Sequence, residues 1–555
     1  MKSSRSRLAA HEGPTGTISA GDGSSPRRGI VAAGDARTAS SGASLLDSGG
    51  NAVDAAVASV LASFVAEPIL TGPFGGGLAL VADPSEEDSV AWSFFAEVPG
   101  RGLDNGELSV PPRDFFGAEC SFGPTTQVFH IGKGSVAVPL LLPGLMGLHE
   151  RHGRIPLAEV CAPAIDLARN GVPLSREVGP LLGILEPILR HNREVESQFA
   201  PNGPLLKAGE RFFAPDLVGL LESVADGDRS IGHEGLLAAF GPPAARITRT
   251  DLESARPLAE SPISLSVGDL EISMPPPPAS GGLLVAFCMA LLKELPISVL
   301  LDETALHVHL LAAMATANAA RREGLDELQD GDSSALIERF LSDEHIGAWL
   351  PYYERVVDKG LPREPMEGHV ASLGSTTHVS VIDRDGMSCA ITHSNGEGCG
   401  EMVPATGAMA NNFLGEEDLH PRGFHSLSPG SRLTTMMCPT VVTRAGEAEL
   451  ALGSGGSNRI RSAILQVLVR RLWCRMELEA AVGLPRMHLE GRVLYIERRG
   501  SVGGFSTSTL EALASRVDEV IVFDSPNVYF GGVHAVARGG KGAGDPRRGG
   551  TVTLG

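Results

Sequence analysis

Polar and apolar residues alternate most regularly around Thr376, where Thr376, His378 and Ser380 interleave with Thr377, Val379 and Val381. A period of two predicts a β-strand. The strand runs into Asp383-Arg384-Asp385-Gly386, a turn signal, and a second strand-like stretch follows from Met387 to Ser394. Together they predict a β-hairpin. With 383–386 as the loop, Ile382 faces Met387 and Thr376 faces His393, with Ser394 one step beyond.

Other stretches give coarser expectations. Gly29 to Ala33 reads as a short strand, Ala36 to Leu46 as a helix stopped by Gly49-Gly50, and the small residues that follow as a second helix to about Val65. Residues 177–260 read as amphipathic helices with Gly and Pro breaks, and Leu283 to Leu292 as an apolar helix behind a proline-rich loop. The acidic run from about Asp326 to Ser372 reads as helix-poor. Leu450-Ala451-Leu452 predicts a strand, Gly453 to Ser457 a glycine turn, and Arg459 to Arg471 a helix. Residues 1–28, rich in Ser, Gly, Arg and Pro, read as a disordered tail.

Composition narrows the function classes. Sixty-six acids against 46 Lys and Arg give a net charge of −20, which argues against nucleic acid or an anionic membrane as partner. The 7 cysteines are scattered without a C-x-x-C pair, so they read as buried thiols and predict neither a disulfide framework nor a zinc site. His307 and His309 stand two apart on a helix and point to different faces, so no metal is expected there. Gly75-Gly76-Gly77 lacks the remainder of either phosphate-loop pattern, and no cofactor is expected. The N-terminus has no apolar signal core and the chain no long apolar run, which predicts a cytoplasmic protein.

The hairpin also carries candidate chemistry. A threonine hydroxyl needs an adjacent base to act as a nucleophile near neutral pH. If the chain is cut before Thr376, that residue gains an α-amine with a pKa of roughly 7.7 to 8.0, so nucleophile and base come as one unit. The uncut amide nitrogen cannot accept a proton.

Thr376-Thr377-His378-Val379-Ser380 resembles the Thr-Thr-His-x-Ser start of the small subunit of γ-glutamyltranspeptidases, N-terminal-nucleophile (Ntn) hydrolases that cut their own precursor before this threonine. The resemblance extends to Gly49-Gly50-Asn51-Ala52-Val53-Asp54-Ala55-Ala56-Val57-Ala58, to Pro275-Pro276-Pro277-Pro278-Ala279-Ser280-Gly281-Gly282 and to Asp545-Pro546-Arg547-Arg548-Gly549. It implies an α+β fold, the four-layer αββα sandwich of Ntn hydrolases. It also implies a precursor split into 29–375 and 376–555, the two subunits forming one intertwined domain.

In site residues, the resemblance implies Thr376 as nucleophile and Ser394 as its hydrogen-bond partner, with Asn395 one residue early for a family asparagine. It implies Glu417 or Asp418 as the acid for a substrate ammonium and Thr434 and Thr435 as hydroxyls for a substrate carboxylate. It implies Gly455 and Gly456 as the oxyanion hole, with Ser457 the alternative if the register slips by one. The implied partners are a γ-glutamyl amide such as glutathione as donor, and water or an amino acid as acceptor. One departure stands out: where the family has an arginine that pairs with the glutamyl α-carboxylate, this chain has Ala96, with Arg101 the near alternative. That leaves two other readings open, an amide acylase of different acyl specificity, similar to cephalosporin acylases, and a scaffold that is never cut.

Overall fold

The computed structural model describes residues 28–121, 126–324, 333–363, 375–420 and 422–555. The expected disordered tail lies outside the described residues, Arg28 apart.

Two antiparallel sheets organise the chain. The first has seven strands in the order Leu258–Glu260, Val90–Phe94, Gly76–Ala82, Ser388–Ser394, Thr377–Asp383, Gly29–Ala33, Thr551–Leu554. The second has six, in the order Ile263–Val267, Leu270–Met274, Thr440–Arg444, Glu447–Gly455, Gly532–Ala537, Lys541–Ala543. Alternation along the strands sends one set of side chains inward between the sheets: Ile30, Ala32, Leu80, Ile382 and Ala390 meet Val441, Ala451 and Val536. The opposite set, Val31, Ala33, Val379, Val381 and Ile391, packs against the helices Ala36–Asp47 and Ala52–Ala66, on which Leu157–Asn170 packs in turn. Beyond the second sheet, Ile272, Leu450, Leu452 and Ala535 pack with the helices Ser280–Leu292, Glu303–Gly324 and Arg459–Leu468. Among the described residues no helix is long and apolar enough to cross a membrane.

The helix Ala52–Ala66 is buried along its whole length, which its small side chains allow. It begins just after the two glycines, because Gly50 N–H bonds Leu45 carbonyl at 2.8 Å and so finishes the preceding helix. Asn51 then caps it, accepting from Val53 and Asp54 N–H at 3.0 Å each, while Asp54 returns a bond to Asn51 N–H at 2.8 Å. Asp383 Oδ2 also accepts from Ala52 N–H at 3.0 Å, fastening the hairpin turn to this helix end.

The hairpin forms with a different register. Ile382 pairs with Ser388 and Thr377 with His393, so Thr376 comes level with Ser394 and not with His393. Asp383 sets the shift. Its N–H bonds Met387 carbonyl at 3.0 Å, and its carboxylate accepts from Asp385 N–H at 2.9 Å and Met387 N–H at 3.0 Å. Asp383 and Met387 are therefore a closing pair around a three-residue loop whose last residue, Gly386, takes the left-handed φ of 87° such loops need.

A second correction concerns the run before Thr376. Its described parts hold the helices Ser333–Phe340 and Asp343–Lys359, the latter capped by Ser342, whose hydroxyl accepts from His345 N–H at 3.1 Å. Positions 326–332 and 364–372 of that expectation lie outside the described residues.

Candidate active site

Thr376 leads into the central hairpin of the first sheet, and it and Ser394 are both buried. The Thr376 hydroxyl donates to the Ser375 carbonyl oxygen at 2.7 Å, and the Ser394 hydroxyl donates to the same oxygen. Ser394 Oγ in turn accepts from Gly396 N–H at 2.9 Å, which directs its hydrogen toward the carbonyl. The Ser375–Thr376 peptide is thus polarised at its carbonyl, with a hydroxyl oxygen beside the carbon it would attack.

The residue bearing this hydroxyl is fixed from several sides. Arg548 Nη1 donates to the Thr376 carbonyl at 3.0 Å. Gly455 passes so close to that carbonyl that a Cβ would stand 2.0 Å from its oxygen, which only glycine permits. Gly456 follows with a φ of 118° and packs on Gly531 and Arg548. Thr377 donates to Glu67 Oε2 at 2.6 Å while Thr38 donates to Glu67 Oε1 at 2.8 Å. Burial, then the neighbouring Asp35, pushes the Glu67 carboxyl up to about 7.

Arg548 follows directly on a buried ion network at the end of the chain, its N–H bonding the Asp545 carbonyl at 3.1 Å. Asp545 pairs with Arg486 at 2.5 Å and with Arg547 at 3.1 Å, and Arg547 pairs with Glu497 at 2.5 Å. Burial alone would raise the Asp545 carboxyl, but the two guanidiniums hold it well below the usual range.

On the other side of the Ser375–Thr376 peptide lie two acids, Glu397 buried and Glu416 half-buried. Glu397 Oε1 accepts from Ser375 N–H at 3.1 Å, and Glu397 N–H donates to Asn412 Oδ1 at 2.9 Å. Glu397 Oε2 and Glu416 Oε1 are buried without hydrogen-bond partners. Burial pushes the Glu397 carboxyl up to about 8 and that of Glu416 well above its ordinary value; Asp418 adds to both and Glu397 to Glu416.

The structure brings Thr376, Ser394 and the Gly455-Gly456 turn together. Ser457 Oγ donates to Asp418 Oδ2 at 2.7 Å, joining that turn to the acidic loop, whereas Glu417 is exposed. Asn395 turns away and donates to Met409 carbonyl at 3.1 Å. Thr434 donates to Leu419 carbonyl at 3.4 Å, and Thr435 Oγ accepts from Met437 N–H at 3.2 Å, so both hydroxyls hold loop backbone. Ala96 is buried among Phe95, Leu433 and other apolar residues. Arg101 pairs with Glu97 at 2.7 Å and lies 3.9 Å from Asp251; Arg432 reaches the same Glu97 at 3.3 Å. Sequence reasoning missed Glu67, Glu397, Glu416 and Arg548. Two of them carried a signal: Glu397, in the glycine-dense loop directly after Ser394, and Arg548, in the Asp545–Gly549 stretch of the resemblance.

The family model for gamma-glutamyltranspeptidase matches residues 38–554. The acylase ACY 1 proenzyme of Pseudomonas sp. (strain V22) is 30% identical over 527 residues, covering 92% of this chain and 90% of the relative. The glutathione hydrolase proenzyme of Bacillus subtilis (strain 168) is 27% identical, covering 84% of this chain and 81% of the relative. Among solved structures, the cephalosporin acylase from Bacillus halodurans superposes with a TM-score of 0.80 at 22% identity, covering 98% of this chain and 99% of that one. This chain belongs to the gamma-glutamyltranspeptidase family, and is with it an enzyme of the Ntn-hydrolase kind.

Proposed function

We propose that the protein is a precursor that cuts itself between Ser375 and Thr376 and then uses Thr376 to transfer the acyl group of an amide to water or to an amine. The observation that carries this is the placement of the Thr376 hydroxyl on the Ser375 carbonyl, with Ser394 donating to the same oxygen. In self-cleavage Thr376 Oγ adds to the Ser375 carbonyl carbon, the C–N bond to Thr376 breaks, and the hydroxyl proton ends on the departing nitrogen. Water then hydrolyses the resulting ester and leaves a Ser375 carboxylate and a free Thr376 amine. The products are the segments 29–375, with whatever precedes it, and 376–555, and the two facing sheets with helices outside them are the αββα sandwich of an Ntn hydrolase.

In turnover the same Oγ attacks the donor carbonyl and passes its proton to the Thr376 amine. The amine returns that proton to the leaving nitrogen as the amide C–N bond breaks. Backbone N–H groups of the Gly455-Gly456 turn stabilise the oxyanion. Two donor classes follow from family membership: γ-glutamyl amides such as glutathione, and amides of another acyl group. Ala96 favours the second, because a buried alanine cannot pair with an α-carboxylate and Arg101 and Arg432 already share Glu97.

Intact mass of the wild type and Thr376→Ala, followed by anilide turnover, tests the proposal. Two fragments meeting at Ser375–Thr376 in the wild type alone, with turnover, are expected. A wild-type chain that stays whole and inactive overturns it and leaves a scaffold.

A further inference from the structure

We infer that Glu397 selects the acyl donor, and that the preferred donor is an α-aminoacyl amide, with its amine or ammonium on the carbon next to the scissile carbonyl. The inference rests on Thr376 being the nucleophile of the proposed function.

The Ser375–Thr376 peptide is the first amide this site meets, so its contacts are a template for later ones. The Ser375 carbonyl, on which Ser394 donates, stands for the acyl carbonyl of a donor, with Ser394 serving the turnover oxyanion beside the Gly455-Gly456 turn, and Ser375 N stands for a nitrogen on the adjacent carbon. Glu397 accepts a hydrogen bond from that nitrogen at 3.1 Å. When the Ser375 end leaves, a donor with an α-amine restores the contact and brings a positive charge to it.

Glu397 is built to receive such a group. It is 1% exposed, its own N–H is fixed on Asn412 Oδ1, and its second oxygen has no hydrogen-bond partner. The preceding Gly396 has a φ of 62°, and a Cβ there would stand 2.0 Å from Asn412 Oδ1 and 2.5 Å from Glu416 Oε1. The loop is therefore wrapped tightly around the buried Glu397 carboxyl and the buried Oε1 of Glu416. Glu416 leaves a further oxygen unpartnered, and Asp418 adds a third acid within electrostatic reach of both. Arg548 lies within electrostatic reach of Glu397, but its Nη1 is engaged on the Thr376 carbonyl. Burial, with Asp418 adding to it, raises the affinity of Glu397 and Glu416 for protons, and a positive group brought by a donor would offset it.

A γ-glutamyl donor fits this arrangement poorly. The carbon next to its scissile carbonyl is a methylene, which would sit against Glu397 Oε1 and leave the carboxylate without a donor. Its distant α-carboxylate would also find Ala96, in a patch where the Phe95 and Phe413 rings stand 4.5 Å apart, in place of an arginine.

The test uses the self-cut enzyme and four p-nitroanilides: L-seryl, N-acetyl-L-seryl, γ-L-glutamyl and glutaryl. The expected result is a kcat/KM for L-seryl anilide at least tenfold above each of the others. Glu397→Gln keeps an acceptor for an N–H but removes the charge, and should bring L-seryl anilide down tenfold or more, toward its N-acetyl form. Equal loss on all four donors would reduce Glu397 to a structural part and overturn the inference. Faster turnover of γ-glutamyl anilide by the cut wild type overturns it while leaving the Thr376 mechanism intact. A wild type that is never cut overturns the mechanism itself, and the inference with it. Should Glu397→Gln fail to process, the donor order of the wild type decides.

Discussion

Ser394 stands level with Thr376 across the hairpin and donates its hydroxyl hydrogen to the carbonyl oxygen of Ser375. Negative charge develops on that oxygen when Thr376 Oγ adds to the carbonyl carbon, so the donor is worth more in the transition state than in the resting peptide. Ser394→Ala should slow self-cleavage by about 10²- to 10³-fold, the usual effect of deleting one oxyanion donor. Ser394→Thr retains the hydroxyl and should process within about tenfold of the wild type. A time course of intact mass on freshly purified precursor reads both, and normal processing of Ser394→Ala would remove Ser394 from the machinery.

Gly455 makes a sharper prediction. A Cβ at this position would lie 2.0 Å from the Thr376 carbonyl oxygen and 2.8 Å from its carbon, contacts with backbone that no side-chain movement relieves. Gly455→Ala must push Thr376 out of line with Ser394 and Arg548. Processing should be lost, with mass spectrometry showing a whole chain. Gly446→Ala is the control for a generally weakened strand pair, since its Cβ would meet nothing within 4 Å although its φ of 83° strains the turn between the same two strands.

The buried ions at the end of the chain should matter for stability first and activity second. Asp545 answers Arg486 and Arg547 together, and its Oδ2 also accepts from Val533 N–H at 2.9 Å. Asp545→Asn leaves two buried guanidiniums with one carboxylate, Glu497, between them, a change that costs about 3 to 5 kcal/mol. Chemical denaturation should show that loss at an unchanged slope. Processing of the surviving folded fraction should slow as well, because the Asp545–Arg548 turn is what aims Arg548 at Thr376.

The parts of this site that were legible in the sequence are local. Alternation around Thr376 marks the strand, and a run of small residues marks the helix Ala52–Ala66 beneath it. The hairpin register was out by one because the side chain of Asp383, not its place in a four-residue turn pattern, decides which residue closes the loop. The helix Asp343–Lys359 was hidden by its acids, although Ile346, Tyr353 and Val356 form a buried stripe at helical spacing. Glu67 could not be read at all, and Arg548 was visible only as part of the Asp545–Gly549 stretch, with no role. They meet the Thr376-Thr377 segment from 310 and 172 positions away, and no local pattern reports such a contact. Glu397 was visible as a residue but not as a contact, since nothing local shows that its carboxylate turns back to Ser375 N–H.

Glu67 supplies the last prediction, a pH dependence whose sign follows from its position. The carboxyl is fully enclosed, accepts from the Thr38 and Thr377 hydroxyls, and is pushed from an ordinary 4.5 up to about 7 by burial and by Asp35. Between those two values the unfolded chain has released this proton and the folded chain still holds it. The folded state thus binds more protons, and stability falls as pH rises from about 4.5 to about 7, then stops falling on this account. Integrated over that window, the change is on the order of 3 kcal/mol. Glu67→Gln is neutral at every pH and can keep both threonine contacts by rotating one hydroxyl, so it should be more stable than the wild type at pH 7.5 and lose that advantage by pH 4.5. Urea denaturation of both proteins, carried out in the Thr376→Ala background so that both remain uncut, measures the difference directly. A constant difference across the range would mean that Glu67 is already ionised in the fold and that Arg37, the nearby cation, balances its charge.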